Sequence, residues 1–567
     1  MLLDGGDRVL DDWGTGQLRS FTESHGGTTE FTWDGPLLRG VERSVSFAGE
    51  VQFSYGNDFL LATESVVGAS TIAYGFDHDD LLIEAGEESI TRDPVLGAVI
   101  GTTLGDVTSL VTYSSHAEVS ALAYAHAGNG LYEIAFTRDA LGRLLSKTET
   151  VGGVTTVESY TYDGAGRLDT VERDGLPAFD ADYDDNGNRI ALTTSNGTRT
   201  SYHDDQDRLI EDGDLDFVFN AAGELASRTD VVTSEVTGFV YHELGGLLEV
   251  TRPDGTDVGY TIDAAGRRIG KEIDGDVVAG WLYGQQLGPV AELDATGAIV
   301  SRFVYASRAH VPDYMEKGGV TYRLLTDHIG SVRLVVDVAT GTVAQRLDYD
   351  PWGVVTHDTS PGFQPFGFAG GHYDHDTGLV RFGLRDYDPA AGRWTTKDPI
   401  GFDGGDSNLY AYVGGDPVNG IDPSGLFLFG AWDSSAQFVT SISDFSAGFG
   451  DTLSGVPFTN FSLSGAARRL LDVDDVVDKC SNGFLAGEVA GIAHQALNLH
   501  PKLPGWLLGR GFKNGGLLNR WDRLRFGWGW SGSGKEGSHV LRIALGTKPN
   551  VRHIDILAYP RSWWGGT

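Results

Sequence analysis

Apolar and polar positions alternate over short runs through the first 360 residues or so, and each run stops at a cluster containing Gly, Asp or Asn. Stretches such as "GRLDTVERD" (166–174) and "RRIGKEIDG" (267–275) read as half-buried strands rather than helices. The phrase between the runs recurs: "YDGAGRL" at 162–168, "YDDNGNRI" at 183–190, "YHDDQDRLI" at 202–210, "FNAAGEL" at 219–225, "YHELGGL" at 241–247 and "IDAAGRRI" at 262–269. Weaker copies start at Trp33 and Arg138. The closing apolar residue falls at Leu168, Ile190, Leu209, Leu225, Leu247 and Ile269, at intervals of 22, 19, 16, 22 and 22. A period of about 20 indicates a repetitive architecture. In each unit an aromatic ends one strand, Asp or Asn followed by Gly makes a tight turn with positive φ, and an Arg-apolar pair opens the next strand. Stacked hairpins of this kind cover one another's edges in a continuous sheet.

The pattern changes after residue 426. "GAARRLLDVDDVVDKCSNGFLAGEVAGIAHQAL" (465–497) has helical spacing, whereas "HVLRIALG" and "RHIDILAY" alternate like strands. No run reaches the roughly 18 apolar residues of a membrane-spanning helix, and the N-terminal "MLLDGGDRVLDDWG" has no secretory signal pattern.

Composition sharpens this division. There are 80 Gly in 567 residues but 11% aromatics, which fits short strands and tight turns and excludes a disordered Gly-rich chain. The single Cys480 excludes an intrachain disulfide framework and a Cys-based zinc site. The chain carries 42 Lys and Arg against 79 Asp and Glu. The net charge is −40 over 1–426, +3 over 427–567 and +8 over 501–567. Such asymmetry points to different partners for the two parts.

The recurring "YDxxGRL" phrase resembles the YD repeat of the RHS protein family. "RDYDPAAGRWTTKDPIG" (385–401) followed by "NLYAYVGGDPVNGIDPSGL" (408–426) resembles that family's repeat-associated core domain. The resemblance implies a mainly β fold in which repeat hairpins spiral into a hollow shell, closed by the core domain and followed by a small α+β domain. The expected divisions are a repeat shell at 1–362, the core at 363–426, a Gly/Ala-rich helical segment at 427–500 and a basic candidate effector at 501–567. It also implies a polymorphic toxin, secreted or on the cell surface, that encloses its own C-terminal segment as cargo. An immunity protein and a delivery system would be its partners; no cofactor is expected. The alternatives are a cell-surface carbohydrate- or cell-binding repeat protein without toxin activity, and an inactive fragment.

In many family members the core is a single-turnover aspartic autoprotease cutting after the Leu of DPxGL. Two close carboxylates cannot both ionise cheaply, so one keeps a proton, polarising the carbonyl while the other activates water. Asp398 and Asp422 match the paired motif, with 20 residues between "DPIG" and "DPSG", and Leu426–Phe427 is the expected scissile bond. Arg393 is the candidate to orient a carboxylate, and Asp416 competes for either acid role. The plainer reading is that each Asp-Pro-x-Gly is a turn and nothing more.

In the tail, His539, Arg542, Arg552, His553 and Asp555 are the candidates for general acid–base cleavage of RNA. The +8 charge with interleaved Trp and Phe suits nucleic acid, and a membrane surface too. "HYDHD" offers His372, Asp374, His375 and Asp376 as metal ligands, although a solvated turn is the simpler expectation.

Overall fold

The computed structural model describes residues 18–426 apart from 24–26, 46 and 244, together with the strands Arg8–Asp12, Phe429–Gly430, Leu524–Ser531, Ser538–Leu545 and Arg552–Pro560. Thirty-four strands, from Arg8–Asp12 to Val355–Asp358, form one antiparallel sheet, each paired to the strand before it and the strand after it. Among the described residues the only helical elements are three short 3₁₀ turns, at Phe368–Gly370, Gly401–Gly404 and Val413–Gly415. No helix among them is long and apolar enough to cross a membrane. The helices expected over 465–497 lie outside the described residues.

The repeated phrase builds the turn that its residues predict. Strand Val154–Tyr162 ends on the aromatic, and Leu168–Arg173 starts on the apolar residue. Between them Asp163 N donates to Arg167 O (3.0 Å), and Gly166 N donates to Asp163 O (3.1 Å). One oxygen of the Asp163 carboxylate accepts from the amides of Ala165 and Arg167, both at 2.9 Å; the other accepts from Arg167 Nε at 2.7 Å. Gly166 sits at φ +92°, which a side chain would strain.

The tyrosine and arginine then couple neighbouring units. The Arg167 guanidinium lies 4.7 Å from the centre of the Tyr183 ring, and Tyr183 Oη donates to Leu168 O at 2.7 Å. Arg143 with Tyr162, and Arg267 with Tyr283, repeat the same latch. Each stacked cation contributes about 0.5–2 kcal/mol.

One position departs from the expected period. Ile190 is 38% exposed. In "YDDNGNRI" Asn188 takes the place of the latch arginine, bonding Asp184 Oδ2 at 3.0 Å, so Arg189 stands where "YDGAGRL" has Leu168. Strand alternation then turns Ile190 outward.

The sheet returns on itself within the first unit. Phe21, Phe31, Leu38, Val51 and Phe53 share one core with Leu282, Phe303, Met315, Leu324 and Phe366. Buried ion pairs join the distant strands: Arg302 to Glu64 (2.5 Å), Arg333 to Glu149 (3.0 Å), and Arg323 to Glu88. Each strand of such a pair would bury an uncompensated charge without the other.

Residues after 363 leave the meander. They form a small sheet of His372–Tyr373, Val380–Phe382, Arg385–Asp388 and Arg393–Trp394. Its core is aromatic: Phe368, Phe382, Tyr387, Trp394 and Tyr412 lie ring against ring, Tyr387 and Tyr412 at 4.2 Å. This cap is bonded to one repeat turn after another. Asn419 Oδ1 accepts from Leu144 N (2.9 Å), Asn408 Nδ2 donates to Asn188 Oδ1 (2.7 Å), Tyr410 Oη donates to Gly223 O (2.6 Å), and Arg381 Nη2 donates to Gly266 O (2.6 Å).

The chain divides into two compact units, 1–491 and 492–567. The second contains a three-stranded antiparallel sheet, in which Ser538–Leu545 pairs with both Leu524–Ser531 and Arg552–Pro560.

Candidate functional site

Asp398 and Asp422 come together, as their spacing leads one to expect, and the group that joins them is Arg385. Its Nη2 lies 2.9 Å from Asp398 Oδ2 and 3.2 Å from Asp422 Oδ2. Arg385 Nε also donates to Gly425 O, and the guanidinium stacks 4.1 Å from the centre of the Trp394 ring. Burial lowers the pKa of this arginine, while Asp422 and Asp398 oppose the shift.

Asp422 is 2% exposed. Its other oxygen, Oδ1, accepts from Leu426 N and from Ser424 Oγ, both at 3.1 Å. The carboxylate thus holds the amide of Leu426. Asp398 Oδ1 accepts from Ile400 N at 2.9 Å. Burial pushes the Asp398 carboxyl up to about 6, with Arg385 pulling the other way and Asp422 adding to the rise.

Gly404 shows where Leu426 stands. A methyl group at 404 would lie 2.9 Å from Asp398 Oδ2 and 3.0 Å from the Leu426 carbonyl oxygen. Acid and carbonyl therefore face the same bare patch of backbone. Arg385, Trp394, Asp398, Gly404, Asp422 and Leu426 line one cavity of about 20 Å³, room for about one water. Phe427 lies outside the described residues.

The other candidates fall elsewhere. Arg393 was expected to orient a carboxylate; instead its Nη2 donates to the carbonyl of Asp207 at 2.5 Å, and its guanidinium lies 5.3 Å from the centre of the Tyr410 ring. It is a strut between core and repeat, and burial brings its pKa down to about 10. Sequence reasoning passed over Arg385, the first residue of "RDYDPAAGRW"; the one signal available was its place at the head of that motif. Asp416 accepts twice from Asn419 Nδ2, at 2.9 and 3.0 Å, and Asn419 Nδ2 also donates to Tyr162 Oη at 2.7 Å. Burial raises Asp416 to about 6 as well, but its carboxylate faces the repeat, away from Arg385.

The "HYDHD" segment runs from a strand into a turn over 375–377 in which His375 is exposed, so the turn expected from sequence is only partly solvated. Asp374 is 5% exposed, and Lys271 Nζ stands 2.7 Å from it and 2.6 Å from Asp376. Asp374, His375 and Asp376 are close enough to share a cation, yet the ammonium already supplies the positive charge.

In the second unit the register sorts the tail candidates. Arg542 pairs with Asp555 and Gly527, and Ala544 pairs with His553 and Arg525. His539 pairs with Trp530 and Tyr559, and Arg552 pairs with Leu545.

The Asp-Gly-Arg turn with its Tyr–Arg latch, repeated along one meander and capped by the core motif, is the construction of an RHS/YD-repeat protein. The chain belongs to the Teneurin YD-shell family, which it matches over residues 14–418. It is 31% identical to Teneurin-4 of Mus musculus over 277 residues (47% of this chain, 10% of that protein). It is 28% identical to Teneurin-1 of Mus musculus over 450 residues (74% of this chain, 16% of that protein). It is also 28% identical over 298 residues to a tRNA3(Ser)-specific nuclease WapA of Bacillus spizizenii (51% of this chain, 12% of that protein). The chain thus spans between 10% and 16% of the length of these relatives. Among solved structures, the TcdB2-TccC3-Cdc42 crystal structure aligns with a TM-score of 0.43 at 17% identity, covering 74% of this chain and 21% of that one.

Proposed function

We propose that this protein is an RHS-type shell that hydrolyses its own backbone after Leu426 and so frees the segment beginning at Phe427. The observation that carries this reading is the convergence of Asp398, Asp422 and the Leu426 carbonyl around Gly404 and Arg385. A turn motif alone has no need to bring two carboxylates to one guanidinium beside a particular peptide bond.

The roles follow from the surroundings. Asp398, with its carboxyl raised to about 6 and its Oδ2 facing the same Gly404 patch as the Leu426 oxygen, is the acid. Asp422, ringed by donors, is the carboxylate that takes a proton from water. The hydroxyl adds to the Leu426 carbonyl carbon while Asp398 protonates the oxygen. Collapse expels the Phe427 amine, which takes the proton held by Asp422, while a hydroxyl of the intermediate returns its proton to Asp398. One water is consumed, giving a Leu426 carboxylate and a new N-terminus. Arg385 keeps the two carboxylates in register and offsets their repulsion.

The released segment is proposed to act on nucleic acid outside the producing cell. The register that pairs Arg542 with Asp555, and Ala544 with His553 and Arg525, supports this, as does the +8 charge of 501–567. A purely adhesive repeat protein would keep its chain whole. The test is to express the full chain and its Asp398→Asn variant and compare masses and host growth. Two fragments meeting at 426/427 in the wild type alone, with growth arrest in the wild type alone, are expected. An intact wild-type chain sinks the protease reading, and normal growth with a cleaved chain sinks the effector reading.

A further inference from the structure

A second cavity lies on the other side of the DPSGL loop. It has a volume of about 50 Å³ and is lined by Arg267, Arg268, Arg381, His310, His372 and Ser424 among others, with no carboxylate in its wall. A single water needs only about 10–15 Å³.

The three arginines are 5%, 1% and 4% exposed. Each has spent part of its hydrogen-bonding capacity. Arg267 Nε donates to Asp263 at 2.8 Å, while Arg268 Nη2 and Arg381 Nη1 donate to the two oxygens of Asp386 at 2.7 and 2.5 Å. Each keeps a buried nitrogen without a partner: Arg267 Nη2, Arg268 Nε and Arg381 Nε. His310 Nδ1 and His372 Nδ1 are in the same condition. Three guanidinium ions thus share two carboxylates. The next acids, Asp374 and Asp376, both lie on Lys271, at 2.7 and 2.6 Å, and Asp374 also acts electrostatically on Arg268. Unsatisfied buried donors cost free energy, more so when charged, and an arginine fork matches oxyanion geometry.

We propose that this cavity is a binding site for a small inorganic oxyanion of the sulfate or phosphate type. The anion would accept from the free N–H groups of the three arginines, which their carboxylate partners leave unsatisfied. Because Pro423 and Ser424 form part of the wall, the bound ion also braces the loop that carries Asp422.

The test uses the full chain, as wild type and as Asp398→Asn, so that binding is read whether or not the chain cuts itself. Isothermal titration with inorganic phosphate and with sulfate, at constant ionic strength, is expected to show saturable one-to-one binding in both. Arg381→Met should weaken it by about tenfold or more, the worth of one charged hydrogen bond. Since Arg381 also holds Asp386, crystals of the unmutated Asp398→Asn chain soaked in selenate provide a second measurement. An anomalous selenium peak among Arg267, Arg268 and Arg381 supports the site. Ordered water alone in the cavity, or no saturable heat with either anion, overturns it.

Discussion

The turn at Asp163 and the turn at Asp398 start from the same chemistry and end differently. In both, an aspartate oxygen accepts the amide two residues on, and the residue three on is a glycine whose N–H returns to the aspartate carbonyl. The difference lies at the fifth residue. In the repeat that residue is Arg167, whose amide and guanidinium both fall on the carboxylate. Although desolvation pushes the Asp163 pKa up, these hydrogen bonds hold it below its ordinary value. In the core the fifth residue is Phe402 after Asp398 and Leu426 after Asp422. Their Oδ2 oxygens are left to a distant arginine, and burial carries Asp398 to about 6. On the proposed reading, a structural turn becomes a reactive one when its internal cation is withdrawn.

The largest effect that would break this comparison is loss of either core acid. Asp398→Asn and Asp422→Asn should each leave one 60.8 kDa chain by mass spectrometry, whereas Asp416→Asn should still cut. Cleavage in all three would remove the distinction between the turns. Next comes Gly404→Ala. The 404 backbone has an ordinary φ, so the methyl adds no backbone strain and acts by crowding Asp398 Oδ2 and Leu426 O. Self-cleavage in a time course should slow by about a hundredfold, the size of effect expected when reacting groups are displaced by about 1 Å; an unchanged rate would mean that Leu426 is not presented there.

The two turns should also respond to pH in opposite senses. Asp398 acts as the acid, so cleavage should fall as pH rises through about 6. Asp163 has a depressed folded-state pKa, so its contribution to stability is present above the ordinary 3.8 and is lost as pH falls through the lower folded value. Cleavage rates measured from pH 4 to 8, and urea midpoints measured from pH 5 down to pH 2, separate the two. The smallest effect is Tyr183→Phe, which removes the hydrogen bond to Leu168 but keeps the ring under Arg167. It should cost about 1 kcal/mol in urea unfolding and leave cleavage unaltered.

The parts that could be read in the chain were those written within a few residues. Tyr162 through Leu168 contains every partner its turn needs, so the hairpin and its glycine were legible. Asp398 and Asp422 were legible because each sits in such a phrase. Arg385 was not, since its meaning depends on Trp394 packing beneath it and on a carboxylate 37 positions away. The same holds for Asp374, which is buried only because Lys271, 103 positions earlier, meets it. Ile190 misled because a one-residue shift of the phrase exchanges the faces of a strand.

The Tyr–Arg latch has a direction. Arg143 waits for Tyr162, Arg167 for Tyr183 and Arg267 for Tyr283, so each hairpin is fastened by the hairpin that follows it. A chain leaving the ribosome therefore locks its repeats one step behind synthesis. The cap comes last, and it clips onto turns laid down up to 275 residues earlier, as Asn419 does to Leu144. Arg385, Asp398 and Asp422 all belong to that cap, so on the proposed reading the cutting group is the last part of the repeat-and-cap fold to be made.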